Sequence, residues 1–122
     1  MADLIVQKRI IDTEYADIVT DSIISRGKLR AFVNDGSFID IWFSLKISGR
    51  FSYHWERRHI DGCMYRHDNF PDTNWQSVST YPKHFHNGSQ DVVCESYLND
   101  DPVVGLRQFM EFVRSQLAKM NK

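Results

Sequence analysis

Three turn signals, Asn34-Asp35-Gly36, Ser48-Gly49 and Asp61-Gly62, recur at regular intervals through the middle of the chain, each between β-branched or aromatic runs. That spacing constrains the fold to an antiparallel meander. Residues 37–47 alternate strictly, with Ile39, Ile41, Phe43, Leu45 and Ile47 on one face and Phe38, Asp40, Trp42, Ser44 and Lys46 on the other. The first face is expected to be buried. Across Asn34-Asp35-Gly36, Ala31 then pairs with Ile39, Leu29 with Ile41, and Arg30 with Asp40 as an opposite-charge pair. A three-residue loop Ile47-Ser48-Gly49 sets Leu45 against Phe51, Phe43 against Tyr53 and Ile41 against Trp55, whereas a two-residue loop would set Phe43 against His54. Strands near 28–34, 38–47 and 50–59 follow.

Residues 63–67 read as a fourth strand of open register, in which either Tyr65 and His67 or Met64 and Arg66 share the face of Tyr53 and Trp55. Residues 14–25 read two ways: a helix capped by Asp12 or Thr13 and stopped at Gly27, or a strand over 18–24 joined to the next by Arg26-Gly27. The strand is favoured. Val103, Leu106, Phe109, Met110, Val113 and Leu117 recur at helical steps behind Asp100-Asp101-Pro102, which predicts an amphipathic helix packed on the sheet. Residues 68–91 show little periodicity, yet Phe70, Trp75, Tyr81 and Phe85 argue for an ordered loop folded back over the sheet. The expected class is therefore α+β: a meander of four or five strands, a C-terminal helix on one face and a long histidine-bearing loop. At 122 residues the chain, 1–122, is expected to form a single domain.

With 15 Lys plus Arg against 16 Asp plus Glu, the formal charge of -1 gives no global field for a polyanion, so any nucleic-acid contact must be local. The start lacks a basic leader followed by an apolar stretch, and no run approaches a membrane span, so a cytoplasmic protein is expected. Cys63 and Cys94 lack the close pairing of a zinc motif and are expected as free thiols.

All five histidines, His54, His59, His67, His84 and His86, fall within 33 residues, interleaved with Glu56, Arg57, Arg58, Arg66 and Asp68. Imidazole titrates nearest neutrality, so its gathering beside guanidinium groups suits proton transfer on a phosphate ester, or a metal site. If 84–86 is extended, His84 and His86 lie on one side of the backbone. The further ligand candidates, His67, Asp68, Cys94 and Glu95, lie at no recognised ligand spacing, so no metal or other cofactor is expected. In Arg57-Arg58, Tyr65-Arg66-His67-Asp68-Asn69 and Tyr81-Pro82-Lys83-His84-Phe85-His86, cations, imidazoles and aromatics alternate. Those parts would suffice for a metal-independent ribonuclease.

Asp35-Gly36-Ser37-Phe38-Ile39-Asp40-Ile41, Tyr53-His54-Trp55, Tyr65-Arg66-His67-Asp68-Asn69 and Tyr81-Pro82-Lys83-His84-Phe85-His86 resemble the TumE family of toxin-antitoxin systems. The family pattern of a Tyr-His-aromatic strand, an Arg-x-Asp-Asn turn followed by Pro, and a Pro-x-His-x-His run is met by residues 53–55, Arg66, Asp68, Asn69, Pro71, Pro82, His84 and His86. The chain departs from it at Asp72-Thr73, where the family often has histidine after the first proline, and at Tyr81, where phenylalanine is usual. The resemblance implies a toxin encoded beside a cognate antitoxin, often one with a helix-turn-helix part.

The function expected from these features is a toxin that cleaves RNA. His84 and His86 serve as base and acid, and His67 is a further catalytic candidate. Asp68 tunes a histidine, Arg66 and Arg57 hold phosphate, Tyr53 or Trp55 stacks a base, and Asn69 and Lys83 line the substrate. The alternatives are a non-catalytic protein-binding module and a metal-dependent hydrolase.

Overall fold

The structure is a computed structural model and describes residues 2–121. Every strand pairs with the next in the chain to make one antiparallel sheet: β1 (Val19–Ser25), β2 (Lys28–Val33), β3 (Phe38–Phe43), β4 (Phe51–Arg57), β5 (Cys63–Asp68), β6 (His84–Gly88) and β7 (Val93–Glu95). Among the described residues three α-helices, α1 (Leu4–Glu14), a single turn α2 (Arg58–Asp61) and α3 (Pro102–Met120), and one 3-10 turn (Thr73–Trp75) accompany it. The α+β meander and the C-terminal helix are as expected, but the sheet has seven strands rather than four or five.

The additional strands have separate causes. β1 is the strand alternative for 14–25, with Arg26 and Gly27 at φ 55° and 74°, as a two-residue hairpin matched to the sheet twist demands. β6 and β7 lie in or just after the stretch expected to be loop. They are short and carry no apolar alternation, and they become strands because β5 offers β6 an unpaired edge.

The β2–β3 register is the expected one, and Arg30 holds Asp40 through two parallel hydrogen bonds of 2.8 and 2.9 Å. Between β3 and β4 the register is two residues away from expectation: Ile41 faces Tyr53, Ile39 faces Trp55 and Phe43 faces Phe51. A two-residue shift leaves every side chain on its original face, so burial could not distinguish the two pairings. Local bonds decide instead. Ser44 Oγ accepts from the backbone of Lys46 and Ile47, which starts the turn early and leaves Leu45 90% exposed. Asn69 fixes the far side, accepting from Phe51 N and donating to Gly49 O.

The inner face of the sheet carries Leu29, Ala31, Ile39, Ile41, Tyr53 and Trp55, and is covered by α1 and α3. α3 begins at Asp101, whose carboxylate accepts from the backbone of Val103 and Val104, and buries Leu106, Phe109, Met110, Val113 and Leu117. α1 was not legible in the sequence. Its opening Leu4-Ile5-Val6 reads like a strand, although Asp3 caps it and Gln7, Ile10 and Ile11 fall on one helical face. Among the described residues neither α1 nor α3 covers the outer face; over β5 and β6 it is crossed by the segment 69–83, whose 3-10 turn Thr73–Trp75 sets Trp75 against His84 and His86.

Gly105 marks the closest approach of α3 to the chain before it, since a Cβ there would stand 2.5 Å from Asn99 O. Alanine normally stabilises a helix interior by about 1 kcal/mol over glycine. Here Gly105→Ala should instead destabilise the protein by roughly 1–3 kcal/mol, as overpacking does. Urea denaturation measures the sign, and a stabilised variant would show that the turn at 99–101 yields freely.

Candidate functional site

Two adjacent cross-strand rows on the outer face build the site. One runs Asp40, His54, Arg66, His86, and the other Trp42, Ser52, Asp68, His84, across β3, β4, β5 and β6. Because side chains alternate along a strand, Arg66 and Asp68 must share a face, and pairing sets Asp68 beside His84 and Arg66 beside His86. Chain distance is irrelevant to the meeting.

Asp68, His84 and His86 are buried, at 4%, 1% and 1% exposure. His84 Nδ1 lies 2.8 Å from Pro82 O and His86 Nδ1 lies 2.9 Å from Gln90 O. A carbonyl oxygen only accepts, so both Nδ1 atoms carry their hydrogen and donate it. In the neutral rings this leaves both Nε2 lone pairs directed inward. His84 Nε2 stands 3.2 Å from Asp68 Oδ1 and His86 Nε2 3.7 Å from Oδ2. Burial, with Arg66 and His84 nearby, holds His86 below the ordinary histidine range despite its bond to Gln90 and the charge of Asp68. The carboxylate is supported from outside the cluster, Oδ1 accepting from Phe70 N at 3.0 Å and Oδ2 from Arg66 Nε at 2.9 Å.

Arg66 also donates to Gln90 Oε1 at 2.7 Å and approaches His54 Nδ1 at 3.5 Å. His54 is thereby one step removed from the cluster, with its Nε2 on Glu56. Above lies a cavity of about 230 Å³ lined by Ser52, Arg66, Asp68, Phe70, Asp72, Trp75, His84, His86 and Gln90. Trp75 roofs the histidines, its ring edge-on to His86 at 5.9 Å. Phe70 stacks on Trp42 at 5.8 Å, with the Arg50 guanidinium 5.0 Å from the Phe70 ring.

The structure separates the remaining sequence candidates from this centre. His67, Tyr53 and Trp55 alternate onto the inner face, beneath α3. His67 stacks on Phe85 at 4.2 Å with Nδ1 2.7 Å from Ser96 Oγ, and burial pushes its pKa down to about 3. Tyr53 and Trp55 are core rings at 2% and 0% exposure, so neither offers a stacking surface. Arg57 is buried between Asp35 and Asp61. Asn69 braces the β3–β4 loop, and Lys83 ties Leu98 O and Asp100. Phe70, Trp75, Asp72 and Gln90 were missed. The aromatic content of 68–91 was a signal for the first two, whereas Gln90 reaches the site only through the return of β6.

The cluster Asp68, His84 and His86 offers one donor atom from each residue, all within 4.8 Å of one another. The lack of a ligand spacing in the sequence therefore carries little information, since the donors meet across a strand pair. Cys94 and Glu95, ligand candidates beside His67 and Asp68, lie on β7, where Glu95 accepts from Ser79 N.

These features define a small α+β protein with a two-imidazole, one-carboxylate centre buried on the outer face of its sheet, opposite α1 and α3. The chain matches the family described as Toxin TumE over residues 1–117, and so belongs to the TumE family. It is a toxin of a toxin-antitoxin system, with an antitoxin as its partner. Comparison with curated proteins and with solved structures finds no match. Among the described residues no helix is long and apolar enough to cross a membrane.

The buried state of His67 has a measurable consequence. Its native pKa of about 3 lies below the unfolded value near 6.5, so between these limits only the unfolded chain takes up the proton. Its contribution is fully present above pH 6.5 and is lost as pH falls, at up to about 1.4 kcal/mol per pH unit. His67→Phe should flatten the decline of melting temperature between pH 6.5 and 5. An unchanged slope would assign the acid sensitivity to other groups.

Proposed function

We propose that this toxin acts by cleaving RNA, as a single cytoplasmic domain, over the cluster of Asp68, His84 and His86. The observation that carries the reading is the convergence of two tautomerically fixed imidazoles on one carboxylate beneath a cavity with an arginine in its wall. With both Nδ1 atoms committed to carbonyls, Nε2 is the atom on each ring that can act.

A base and an acid on opposite sides of a phosphate would need the rings to face each other across a gap. Here both Nε2 atoms aim at the same carboxylate, so the pair acts at one point rather than two. At that point the protein can activate the attacking oxygen, either by a proton held between imidazole and carboxylate or by a cation whose bound water does the same. Arg66, anchored by Asp68 and Gln90, presents its guanidinium in the cavity wall, where phosphate oxygens accept from it. Trp75 and the Phe70–Trp42 stack supply flat surfaces for unpaired bases, the role expected of Tyr53 and Trp55. Local recognition of this kind suits a chain of formal charge -1. The cognate antitoxin carries a helix-turn-helix part in this reading.

His84→Ala and His86→Ala should each abolish toxicity and slow RNA cleavage by the purified toxin about 100-fold or more, with the circular dichroism spectrum retained. His59→Ala, whose ring sits on Gly36 O away from the cavity, should behave as wild type. Full toxicity in folded His84→Ala would remove the cluster from the mechanism. Lost toxicity without any RNA cleavage by wild type would leave the cluster functional and the substrate wrong.

A further inference from the structure

We propose that Asp68, His84 and His86 bind one divalent first-row transition cation, with Zn²⁺ or Mn²⁺ as the type, through Asp68 Oδ and the two Nε2 atoms. Its service as the cofactor of cleavage rests on the ribonuclease reading, whereas binding itself does not.

The first support is orientation. A metal-binding histidine ordinarily donates its other ring N–H to a carbonyl or carboxylate, which fixes the tautomer and aims the lone pair at the ion. Both rings are held in that way, by Pro82 O and Gln90 O.

The second support is distance. Donors 2.0–2.1 Å from a tetrahedral ion stand about 3.3 Å apart. The observed separations, 3.2 Å for His84 Nε2 and 3.7 Å for His86 Nε2 from the Asp68 carboxylate, bracket that value, and each contact is an ion pair if its ring is protonated. With both rings neutral, three buried acceptors face one another, which is unfavourable unless something positive lies between them.

The carboxylate is prepared as a ligand should be, with Phe70 N and Arg66 Nε donating to it from the outside. The donor set then selects among ions. Two imidazoles and one carboxylate suit zinc, manganese or iron, whereas magnesium and calcium prefer all-oxygen sites. Three protein donors also leave a coordination position open, and it faces the cavity in which Asp72 and Trp75 stand. Water or a phosphate oxygen can occupy it.

The test uses full-length toxin stripped by chelator and dialysed, titrated with Zn²⁺ by calorimetry and with Co²⁺ followed by its visible absorption. One ion per chain and bands of a low-symmetry Co²⁺ site are expected. Affinity should fall at least about 100-fold in His84→Ala, His86→Ala and Asp68→Asn, and remain unchanged in His59→Ala. Because a buried variant can lose its fold, wild-type titration alone is also decisive: a folded wild-type protein that binds neither ion overturns the proposal. Binding that persists in the folded cluster variants overturns it too, since the ion then sits elsewhere. Binding without RNA cleavage supports the metal site and discards the ribonuclease reading. Cleavage by ion-free wild type in the presence of chelator supports the ribonuclease reading and overturns the service of the ion as its cofactor.

Discussion

The two-residue period of β5 is the constraint on which the rest of the molecule depends. In six residues, Cys63–Asp68, it sends Tyr65 and His67 into the core under α3 and Arg66 and Asp68 to the opposite face. A one-residue slip would exchange these sets, burying an arginine and a carboxylate under Phe109 and exposing two aromatic side chains. The slip is opposed from both edges. β4 places Tyr53 against His67 and Trp55 against Tyr65, and β6 places Phe85 against His67, so three strands agree on which face is apolar. The functional face is thus defined by exclusion: it receives whatever the core does not.

That arrangement explains which parts were legible from the sequence. The meander, the buried set Leu29, Ala31, Ile39 and Ile41, the Arg30–Asp40 pair and α3 were readable, because each rests on a repeat or pairing that the chain states locally. The β3–β4 register was not, since a shift by two leaves the hydrophobic face intact and the choice falls to Ser44 and Asn69. β6 was hidden because its apolar content is almost confined to Phe85. Its strand character comes from the edge of β5, which is a tertiary cause.

The site shows the same division. His84, His86, Asp68 and Arg66 were identifiable as residue types suited to phosphate chemistry, and they do meet. His67, Tyr53, Trp55 and Arg57 carried equal chemical promise, and the pleat or a carboxylate pair took them away. His67 lies between Arg66 and Asp68 in the chain, yet its ring stacks on Phe85 on the far side of the sheet. Adjacency in a strand is therefore evidence against sharing a site. Asn69 illustrates a different failure, because its donor and acceptor are both spent on the backbone of the β3–β4 loop and its start of β4.

Electrostatics on the outer face limits what the centre can engage. Lys28 and Arg30 are drawn to Asp40, and Arg58 to Glu56, whose carboxyl is pulled down to about 2 chiefly by that arginine. Most cations of the sheet face are thus offset by carboxylates and contribute little field beyond a Debye length. The attraction left for a polyanion is concentrated near Arg66 and Arg50, the latter poised against Phe70. Arg66 is itself balanced by Asp68, so the cluster is close to neutral while both imidazoles are uncharged. Under the proposed function, a phosphate arriving there gains most if a further positive charge occupies the point between the three donors. In that reading, two committed imidazoles and one braced carboxylate favour attraction supplied at a single buried point instead of spread along the surface.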